Sequence, residues 1–301
     1  MHDHDHPHDH SHSHEHNPGN THDHGHAHEQ DGHCHHHDHA HTHGHHHAHG
    51  HGRLQTHEQG TVLVLRPYTG VSGDIMVAGL ARMLEADQAL LDEMVTAIGL
   101  GALHGALSVH PHALDGIGGW QCRVNLPQEH SHRTLTDIRT ILHASMLTDN
   151  AKELAKKAFA ILAEAEGAVH GKLPDDVAFH EVGALDSILD ICLAAALFDR
   201  LAPALFVCGP LPVCDGAVRC AHGIIPVPAP AVMRLLHDIP VQGIPSSGET
   251  LTPTGVALLK AFGASFGAWP RLTIKREALV YGTRIFPAVP NGAIFAFGEP
   301  C

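Results

Sequence analysis

The segment TVLVLRPYTGVSGDIMVAGL, residues 61–80, joins a strand to a helix through a glycine-bearing turn and decides the fold prediction. The apolar run Val62–Leu65 predicts a buried strand, which ends at an arginine followed by a proline. Ser72 or Asp74 then caps a helix that is predicted to run to about Leu84. A strand–turn–helix unit of this kind is typical of mixed α/β domains.

The same turn is a candidate anion site. Unpaired N–H groups and the helix dipole favour an anion at a helix N-terminus, and Ser72, Gly73 and Asp74 lie there. From spacing alone, a plain tight turn at Gly70 and Gly73 is the better explanation of the glycines. The chain contains no G-x-x-x-x-G-K-[ST] motif, which argues against a P-loop nucleotidase.

Residues 1–57 are predicted to form a disordered, metal-binding tail. Twenty-four of the 35 histidines fall within the first 51 residues, where almost no apolar side chain is larger than alanine. Such a segment cannot offset the entropy lost on folding. Imidazoles bind nickel, copper, zinc and cobalt, so the tail does not identify its metal. Protons compete for imidazole near a pKa of about 6.5, so metal release is expected as the pH falls.

An expression tag is the alternative explanation of the tail. Affinity tags are usually a plain run of six histidines, whereas no run here exceeds three. We therefore interpret the tail as a native reservoir that collects metal without holding one ion in one geometry. Its candidate ligands are His35, His36, His37, His45, His46, His47, His49 and His51.

Charge and cysteine content exclude several classes of protein. Up to Gly52 the tail carries eight acidic residues and no Lys or Arg, so it supplies −8 of the net charge of −14 and leaves −6 on the body. An acidic body argues against nucleic acid as a partner. Seven cysteines without a C-x-x-C pair, and no signal segment, predict a reduced cytoplasmic protein. No apolar run is long enough to cross a bilayer, so no membrane partner is expected.

Residues 58–301 are predicted to form a single large domain of the α/β or α+β class, because strands and helices alternate. Strands are expected at Gln121–Leu126 and at the C-terminal end. Helices are predicted to begin near Thr134, to span Asn150 to about His170, Val182 to Leu201 and Ala229 to His237, and to begin again near Thr254. The order of the strands does not follow from the sequence.

The segment FHEVGALDSILDI, residues 179–191, carries a candidate acidic site. Asp186 and Asp190 are four residues apart, so a helix places them on one face among apolar residues. Like charges in that position repel unless a metal, an arginine or a proton lies between them, and a solvated stripe is the plain alternative. His180 and Glu181 stand at the start of the same helix.

Two later segments also carry candidates. His222 lies beside a glycine in a loop framed by three prolines, a rigid setting for a metal ligand or a general base. Thr252 and Thr254 lie at the start of the next predicted helix, where hydroxyls and N–H groups form a second candidate anion pocket. Arg284 is a possible single anion contact, although an unpaired surface arginine is the commoner outcome.

Seven blocks occur in order across almost the whole body: GVSGDIMVAGL (70–80), HRTLTDI (132–138), LAEAEGAVHG (162–171), FHEVGALDSILDI (179–191), GPLPVCDGAVRCAHGIIPVPAPA (209–231), GETLTPTGVALL (248–259) and YGTRIFP (281–287). Together they resemble the LarC family of nickel insertion proteins. The HEVGALDSI and AHGIIPVPAPA blocks are highly specific, whereas SGD alone is weak.

The resemblance implies a reaction. LarC-like proteins insert nickel into pyridinium-3,5-bisthiocarboxylic acid mononucleotide and form one Ni–C and two Ni–S bonds. The reaction consumes CTP, with a divalent cation, and is assigned to the lyases as a nickel chelatase or cyclometallase. The product is the nickel-pincer cofactor of lactate racemase and related enzymes, so an apo-enzyme recipient is expected. Soft sulfur donors suit nickel, and loss of the ring proton needs a base near the metal.

Matched to the motif positions, the candidates acquire roles. Metal handling or base catalysis is predicted for His180, Glu181, Asp186, Asp190 and His222. Binding of the precursor through its phosphate is predicted for Ser72, Gly73, Asp74, Thr252 and Thr254.

The chain departs from the family pattern in two ways. Where the family usually has Asp-Cys-Phe-Ser, this chain has Arg66-Pro67-Tyr68-Thr69, so a cation and a proline replace an acid and a thiol. The family also has a C-terminal domain to which nucleotide binding is attributed, and this chain stops at Cys301. The leading hypothesis is the N-terminal part of a nickel insertion enzyme with a disordered nickel-collecting tail. CTP is then either bound by a separate C-terminal chain or not bound at all. The alternative is a divergent paralogue that stores or delivers nickel without catalysis.

Overall fold

The computed structural model describes residues 60–126, 133–179, 183–220 and 223–301. Its strands are β1 (Val62–Pro67), β2 (Leu107–Leu114), β3 (Ile117–Val124), β4 (Arg133–Thr134), β5 (Ala178–Phe179), β6 (Leu205–Cys208), β7 (Leu211–Cys220), β8 (Gly223–Val227), β9 (Val241–Ser247), β10 (Ser265–Phe266), β11 (Leu272–Tyr281) and β12 (Ala293–Pro300). Its helices are α1 (Gly73–Met83), α2 (Gln88–Ala97), α3 (Leu135–Ala144), α4 (Asp149–His170), α5 (Leu185–Leu201), α6 (Pro230–Leu235) and α7 (Pro253–Ala261).

The centre of the domain is a mixed seven-stranded sheet with the order β10-β6-β1-β12-β11-β3-β2. β1 runs antiparallel to β12 and parallel to β6, while β11 runs antiparallel to β12 and parallel to β3. A separate three-stranded sheet has the order β8-β7-β9. The prediction of a mixed α/β domain is confirmed.

The predicted strand–turn–helix unit is present at the centre of this sheet. β1 is buried on both faces: Leu63 and Leu65 join the main core, and Val62 and Val64 pack with Ala296 on the other face. A run of consecutive apolar residues is what a strand covered on both faces requires. The strand therefore anchors the turn that follows it.

Helix α1 lies directly on the sheet, against β3, β11 and β12. The approach is close because residue 79 is glycine: a Cβ there would overlap the ring of Phe295 on β12. Helix α5 packs on α1, and α4 packs on α5, α6 and α7. The N-termini of α1, α5 and α7 are held in place by this packing.

Most predicted helices are found, with shifted ends. The long helix predicted from Asn150 to His170 is α4, which begins after the Thr148 cap, whose side chain accepts a hydrogen bond from Ala151 N at 3.1 Å. The helix predicted from Val182 begins at Leu185. No side chain caps that helix, so the sequence carried no signal for its start.

Between α1 and α3 the structure contains two elements that were not predicted from the sequence, α2 and β2. β3 pairs with β2 as a hairpin and begins four residues before the predicted Gln121. Among the described residues, no helix is both long enough and apolar enough to cross a membrane.

We expect Gly79→Ala to lower the free energy of unfolding by about 1–3 kcal/mol, because the added methyl group forces the Phe295 ring out of a packed core. Helix propensity alone predicts a gain of about 1 kcal/mol from the same change. Urea unfolding of both proteins measures the difference.

The matched control is Gly101→Ala, since nothing lies within 4 Å of the Cβ position there. Its free energy of unfolding should stay within about 0.5 kcal/mol of the wild type. A Gly79→Ala protein as stable as the wild type would contradict the close packing of α1 on β12.

Candidate functional site

A cavity of about 470 Å³ lies where the N-termini of α1, α5 and α7 meet β3 and the loop after β11. The residues around it come from five separate parts of the chain. They are Thr69, Ser72, Asp74, Ile75, Cys122, Val124, Asp186, Asp190, Glu249, Thr250, Thr252, Gly282, Thr283, Arg284 and Phe286.

The two turns that the sequence presented as separate anion pockets are joined through their backbones. Val71 N donates to Thr250 O at 3.1 Å, and Thr252 N donates to Val71 O at 3.1 Å. Gly70 has a φ of +137°, and a Cβ on it would overlap the Thr250 carbonyl oxygen. The two turns therefore form one wall of a single cavity.

Four carboxyl groups line the cavity: Asp74 in the first turn of α1, Asp186 and Asp190 in the first two turns of α5, and Glu249 in the segment before α7. The helices approach closely because residue 73 is glycine; a Cβ there would lie 2.7 Å from Asp190 Cβ. Ser72 Oγ donates a hydrogen bond to Asp74 Oδ1. Asp190 Oδ1 is buried and has no hydrogen-bond partner among the described residues.

Burial and mutual repulsion raise the pKa of two of these carboxyl groups. Loss of solvent raises the pKa of Asp190 well above its ordinary value, and the charges of Asp74 and Asp186 raise it further. Burial also raises the pKa of Asp74, against the hydrogen bonds from Ser72 and from backbone N–H groups. The site therefore holds a carboxyl group that binds a proton, or another cation, more readily than an exposed aspartate does.

Cys122 on β3 places a thiol in the same cavity. Its side chain is buried, and burial together with the charges of Asp190 and Asp74 raises the pKa of the thiol. The cavity therefore keeps this thiol protonated in the absence of a metal.

The cavity also has a cationic and hydroxyl-rich part. Arg284 is the only Lys, Arg or His among the described lining residues. Thr69 Oγ1 accepts a hydrogen bond from Gly292 N at 3.0 Å, and Thr252 Oγ1 accepts one from Gly255 N at 3.1 Å. Each hydroxyl then keeps its own hydrogen to donate. The lining can therefore contact both a cation and an anion.

Five of the residues predicted from the sequence meet at this cavity: Ser72, Asp74, Asp186, Asp190 and Thr252. Gly73 lies under Asp190, and Thr254 is buried in the first turn of α7 without lining the cavity. His180, Glu181, His222 and the tail histidines lie outside the described residues.

Sequence reasoning assigned no role to several lining residues, among them Cys122, Glu249, Thr250 and Thr283. Arg284 was noted only as a possible anion contact. Cys122 sits in a strand with no local motif, and the loop of Arg284 is far from the acids in sequence. Only the pairing of β11 with β3 brings their ends to the same place.

The departure at Arg66-Pro67 lies beside the cavity and does not line it. Arg66 Nη1 donates to Gly267 O at 2.7 Å, and the guanidinium lies 5.0 Å from the centre of the Trp269 ring. Thr69 is the last residue of the four that differ from the family pattern, and it does line the cavity. The arginine at this departure therefore contacts the segment that follows β10.

Within the part of the chain that the structure describes, no group of three or more His, Cys, Asp and Glu side chains is arranged to hold a metal ion. The carboxyl groups of the cavity are thus able to attract a cation without forming a complete set of ligands by themselves.

We expect Asp190→Asn to be more stable than the wild type at pH 7.5, with the difference shrinking towards pH 4. The folded pKa is raised, so the folded state holds this proton more tightly than the unfolded chain. Stability from that proton is present below the unfolded pKa of about 3.9 and is lost as the pH rises through the folded pKa. Each unit of raised pKa corresponds to about 1.4 kcal/mol. Urea unfolding of both proteins across this pH range measures the difference in their free energies of unfolding.

Asp137→Asn is a control for which we expect the opposite change in the free energy of unfolding at pH 7.5. Hydrogen bonds from the Thr134 backbone and side chain lower the pKa of Asp137, so its charged form stabilises the folded state above the unfolded pKa. This variant should lose stability at pH 7.5 and approach the wild type as the pH falls. An Asp190→Asn protein with the same pH profile as the wild type would show that Asp190 is not perturbed.

Comparison with known proteins identifies the family of this chain. The family model described as nickel insertion protein matches residues 63–296. A relative from Geotalea daltonii, whose name describes a nickel insertion protein, is 37% identical over 238 residues, which is 79% of this chain and 61% of the relative. A relative from Geobacter sulfurreducens with the same name is 39% identical over 230 residues, 76% of this chain and 59% of the relative.

A third relative, from a Nocardioides species, is named pyridinium-3,5-bisthiocarboxylic acid mononucleotide nickel insertion protein. It is 36% identical over 238 residues, 77% of this chain and 58% of the relative. The chain thus spans about three fifths of the length of these relatives. No solved structure matches it. With a family model that covers most of the body and relatives of this identity, the chain belongs to the nickel insertion protein family.

Proposed function

We propose that this protein inserts nickel into pyridinium-3,5-bisthiocarboxylic acid mononucleotide and so forms the nickel-pincer cofactor of lactate racemase-type enzymes. The observation that carries the proposal is the cavity that combines four carboxyl groups with hydroxyls and one arginine; the carboxyl groups are those of Asp74, Asp186, Asp190 and Glu249. Membership of the family and the name of the Nocardioides relative support the choice of substrate.

The carboxyl groups are suited to the cationic substrate of the reaction. Four acidic side chains around one cavity attract Ni²⁺, and the precursor itself supplies two sulfur donors. A complete protein metal site is therefore not required, in keeping with the incomplete ligand set of the described residues. Asp186 is exposed and Asp190 retains some exposure to the cavity, so both can reach a ligand there.

The proton transfer also suits this site. When the Ni–C bond forms, the electron pair of the ring C–H bond becomes the bond to nickel, nickel stays divalent, and the proton leaves to a base. Asp190 is our candidate for that base, because its raised pKa makes its carboxylate a stronger proton acceptor than an exposed aspartate. Asp186 is our candidate for holding the incoming ion. His180, Glu181 and His222 remain predicted contributors from the sequence.

The remaining predicted residues are assigned to the precursor. Ser72, Asp74 and Thr252 line the cavity, and Gly73 lets Asp190 approach. We assign CTP, with its divalent cation, to the part of the relatives' length that this chain does not match. The reaction is then a lyase-class chelation. We expect it in the cytoplasm, in line with six described cysteines that form no disulfide.

Storage or delivery of nickel without catalysis is the second candidate function. The observation in its favour is the density of histidines in the first 51 residues, which exceeds what a single insertion event needs. The replacement of an acid and a thiol at Arg66-Pro67 also fits a paralogue that has lost catalysis. Whether the protein forms the cofactor distinguishes the two functions.

We expect Asp186→Asn to reduce cofactor formation at least about 100-fold while the total nickel bound stays near the wild-type value. Losing one charge-assisted contact to the metal costs about 1.5–3 kcal/mol, and losing its role in the reaction adds to this. The readout is reactivation of an apo lactate racemase by protein supplied with nickel, the precursor and CTP, with and without a candidate C-terminal chain.

Glu164→Gln on the exposed face of α4 is the matched control and should retain full activity. An inactive wild type under both conditions, with nickel still bound, would support storage and delivery instead. An Asp186→Asn protein as active as the wild type would remove Asp186 from the site.

We expect deletion of residues 1–52 to lower the number of nickel ions bound and to slow cofactor formation only when nickel is scarce. The tail concentrates the ion, whereas the cavity carries out the reaction. The measurement compares initial rates at limiting and saturating nickel. A truncated protein that is inactive at saturating nickel would refute the reservoir interpretation.

A further inference from the structure

We infer that Arg284, together with the N-terminus of α7, binds the phosphate of the mononucleotide and so fixes the direction in which the precursor enters the cavity. This inference rests on the proposed function. It adds the residues that recognise the phosphate of the precursor. The chemical class it selects is a pyridinium mononucleotide in preference to the corresponding nucleoside.

The guanidinium of Arg284 is available for a ligand. It makes no hydrogen bond or ion pair with any residue that the structure describes, although it lies in a cavity with several carboxyl groups. Its contacts are apolar or with backbone: it packs on Gly248 and lies 5.8 Å from the centre of the Phe286 ring. An arginine held in this way keeps its N–H donors for an anion.

The loop that carries Arg284 is fixed at both ends. Gln121 Nε2 donates to Gly282 O at 2.9 Å, two residues before the arginine. Two residues after it, Phe286 N donates to Asn291 Oδ1 at 2.8 Å and Asn291 Nδ2 donates to Phe286 O at 2.8 Å. The side chain is therefore presented from a loop whose backbone position is set before any ligand binds.

Gly248 provides the surface on which the guanidinium rests. A Cβ at this position would lie 3.2 Å from Arg284 Cζ and from Nη1, so a side chain there would push the guanidinium away by a few tenths of an ångström. The glycine is itself held to β7, because Gly248 N donates to Asp215 O at 3.2 Å and Cys214 Sγ donates to Gly248 O at 2.9 Å. Its φ of +109° also favours glycine.

Of the three helix N-termini at the cavity, that of α7 is the one open to an anion. At α5 the carboxyl group of Asp186 accepts a hydrogen bond from Ser187 N at 2.7 Å. At α1 the carboxyl group of Asp74 already accepts hydrogen bonds from Ser72 Oγ and from backbone N–H groups, including that of Ile75. A phosphate there would meet a carboxyl group. At α7 the cap Thr252 keeps a hydroxyl hydrogen to donate, and the helix dipole adds to it.

Charge decides which part of the precursor lies at Arg284. A phosphate monoester carries about −1.5 to −2 charges near neutral pH and is repelled by the acids that attract nickel. The two thiocarboxylates and the ring carbon between them must instead face the metal. The phosphate therefore lies at Arg284 and Thr252, and the ring points towards Asp186 and Asp190.

The test measures binding of two ligands to the full chain by titration calorimetry. The ligands are the biscarboxylate analogue of the precursor mononucleotide and the same compound without its phosphate. Arg284→Gln should weaken binding of the nucleotide about 10- to 100-fold, the range expected for lost charge-assisted hydrogen bonds, and change binding of the nucleoside less than about twofold. Arg284→Lys should recover part of the loss, because it restores the charge and not the paired donors.

Arg271→Gln is the matched control, since Arg271 is exposed and does not line the cavity; it should bind both ligands as the wild type does. Inorganic phosphate should compete with the nucleotide on the wild type and not on Arg284→Gln. Equal weakening of both ligands by Arg284→Gln would overturn the phosphate assignment and leave the proposed function standing. A wild type that binds neither ligand would overturn the proposed function and this inference with it.

Discussion

The site depends on one backbone pairing, between Val71 after β1 and the segment Thr250–Thr252 before α7. This pairing brings together two turns that are about 180 residues apart in the chain. Gly70 makes it possible, because a side chain there would occupy the space of the Thr250 carbonyl group. Without this contact the N-termini of α1 and α7 would not share a cavity.

Close helix packing then concentrates negative charge. Gly73 lets α1 approach Asp190 of α5, and Gly79 lets the same helix rest on Phe295 of β12. The sheet thus fixes α1, and α1 fixes how near Asp74 lies to the acids of α5. Burial of like charges costs free energy, which appears here as raised pKa values of Asp74 and Asp190. A divalent cation or a proton relieves that repulsion.

The distribution of charge in the cavity suits the proposed substrate, which is both a metal ligand and a nucleotide. The carboxyl groups suit a cation, and Arg284 with the hydroxyls of Thr69 and Thr252 suits an anion. A nucleotide whose donor atoms and phosphate are at separate positions can satisfy both at once. In the proposed function, the histidine-rich tail raises the local concentration of nickel.

Local features of the structure followed from the sequence. The β1–turn–α1 unit, the long α4 and the helix starts near Thr134 and Thr254 depend on neighbouring residues, whose propensities and hydrogen bonds act over a few positions. The start of α5 was missed because no side chain caps it. The composition of the tail likewise needed no structure to be interpreted.

The tertiary structure alone decided that the two anion turns are one site, that α1's N-terminus is occupied by its own Asp74, and that Cys122 and Arg284 face the same cavity. These facts depend on strand order and on which glycines permit close approach. Neither is encoded in any local stretch, because each results from the packing of segments that are distant in the chain.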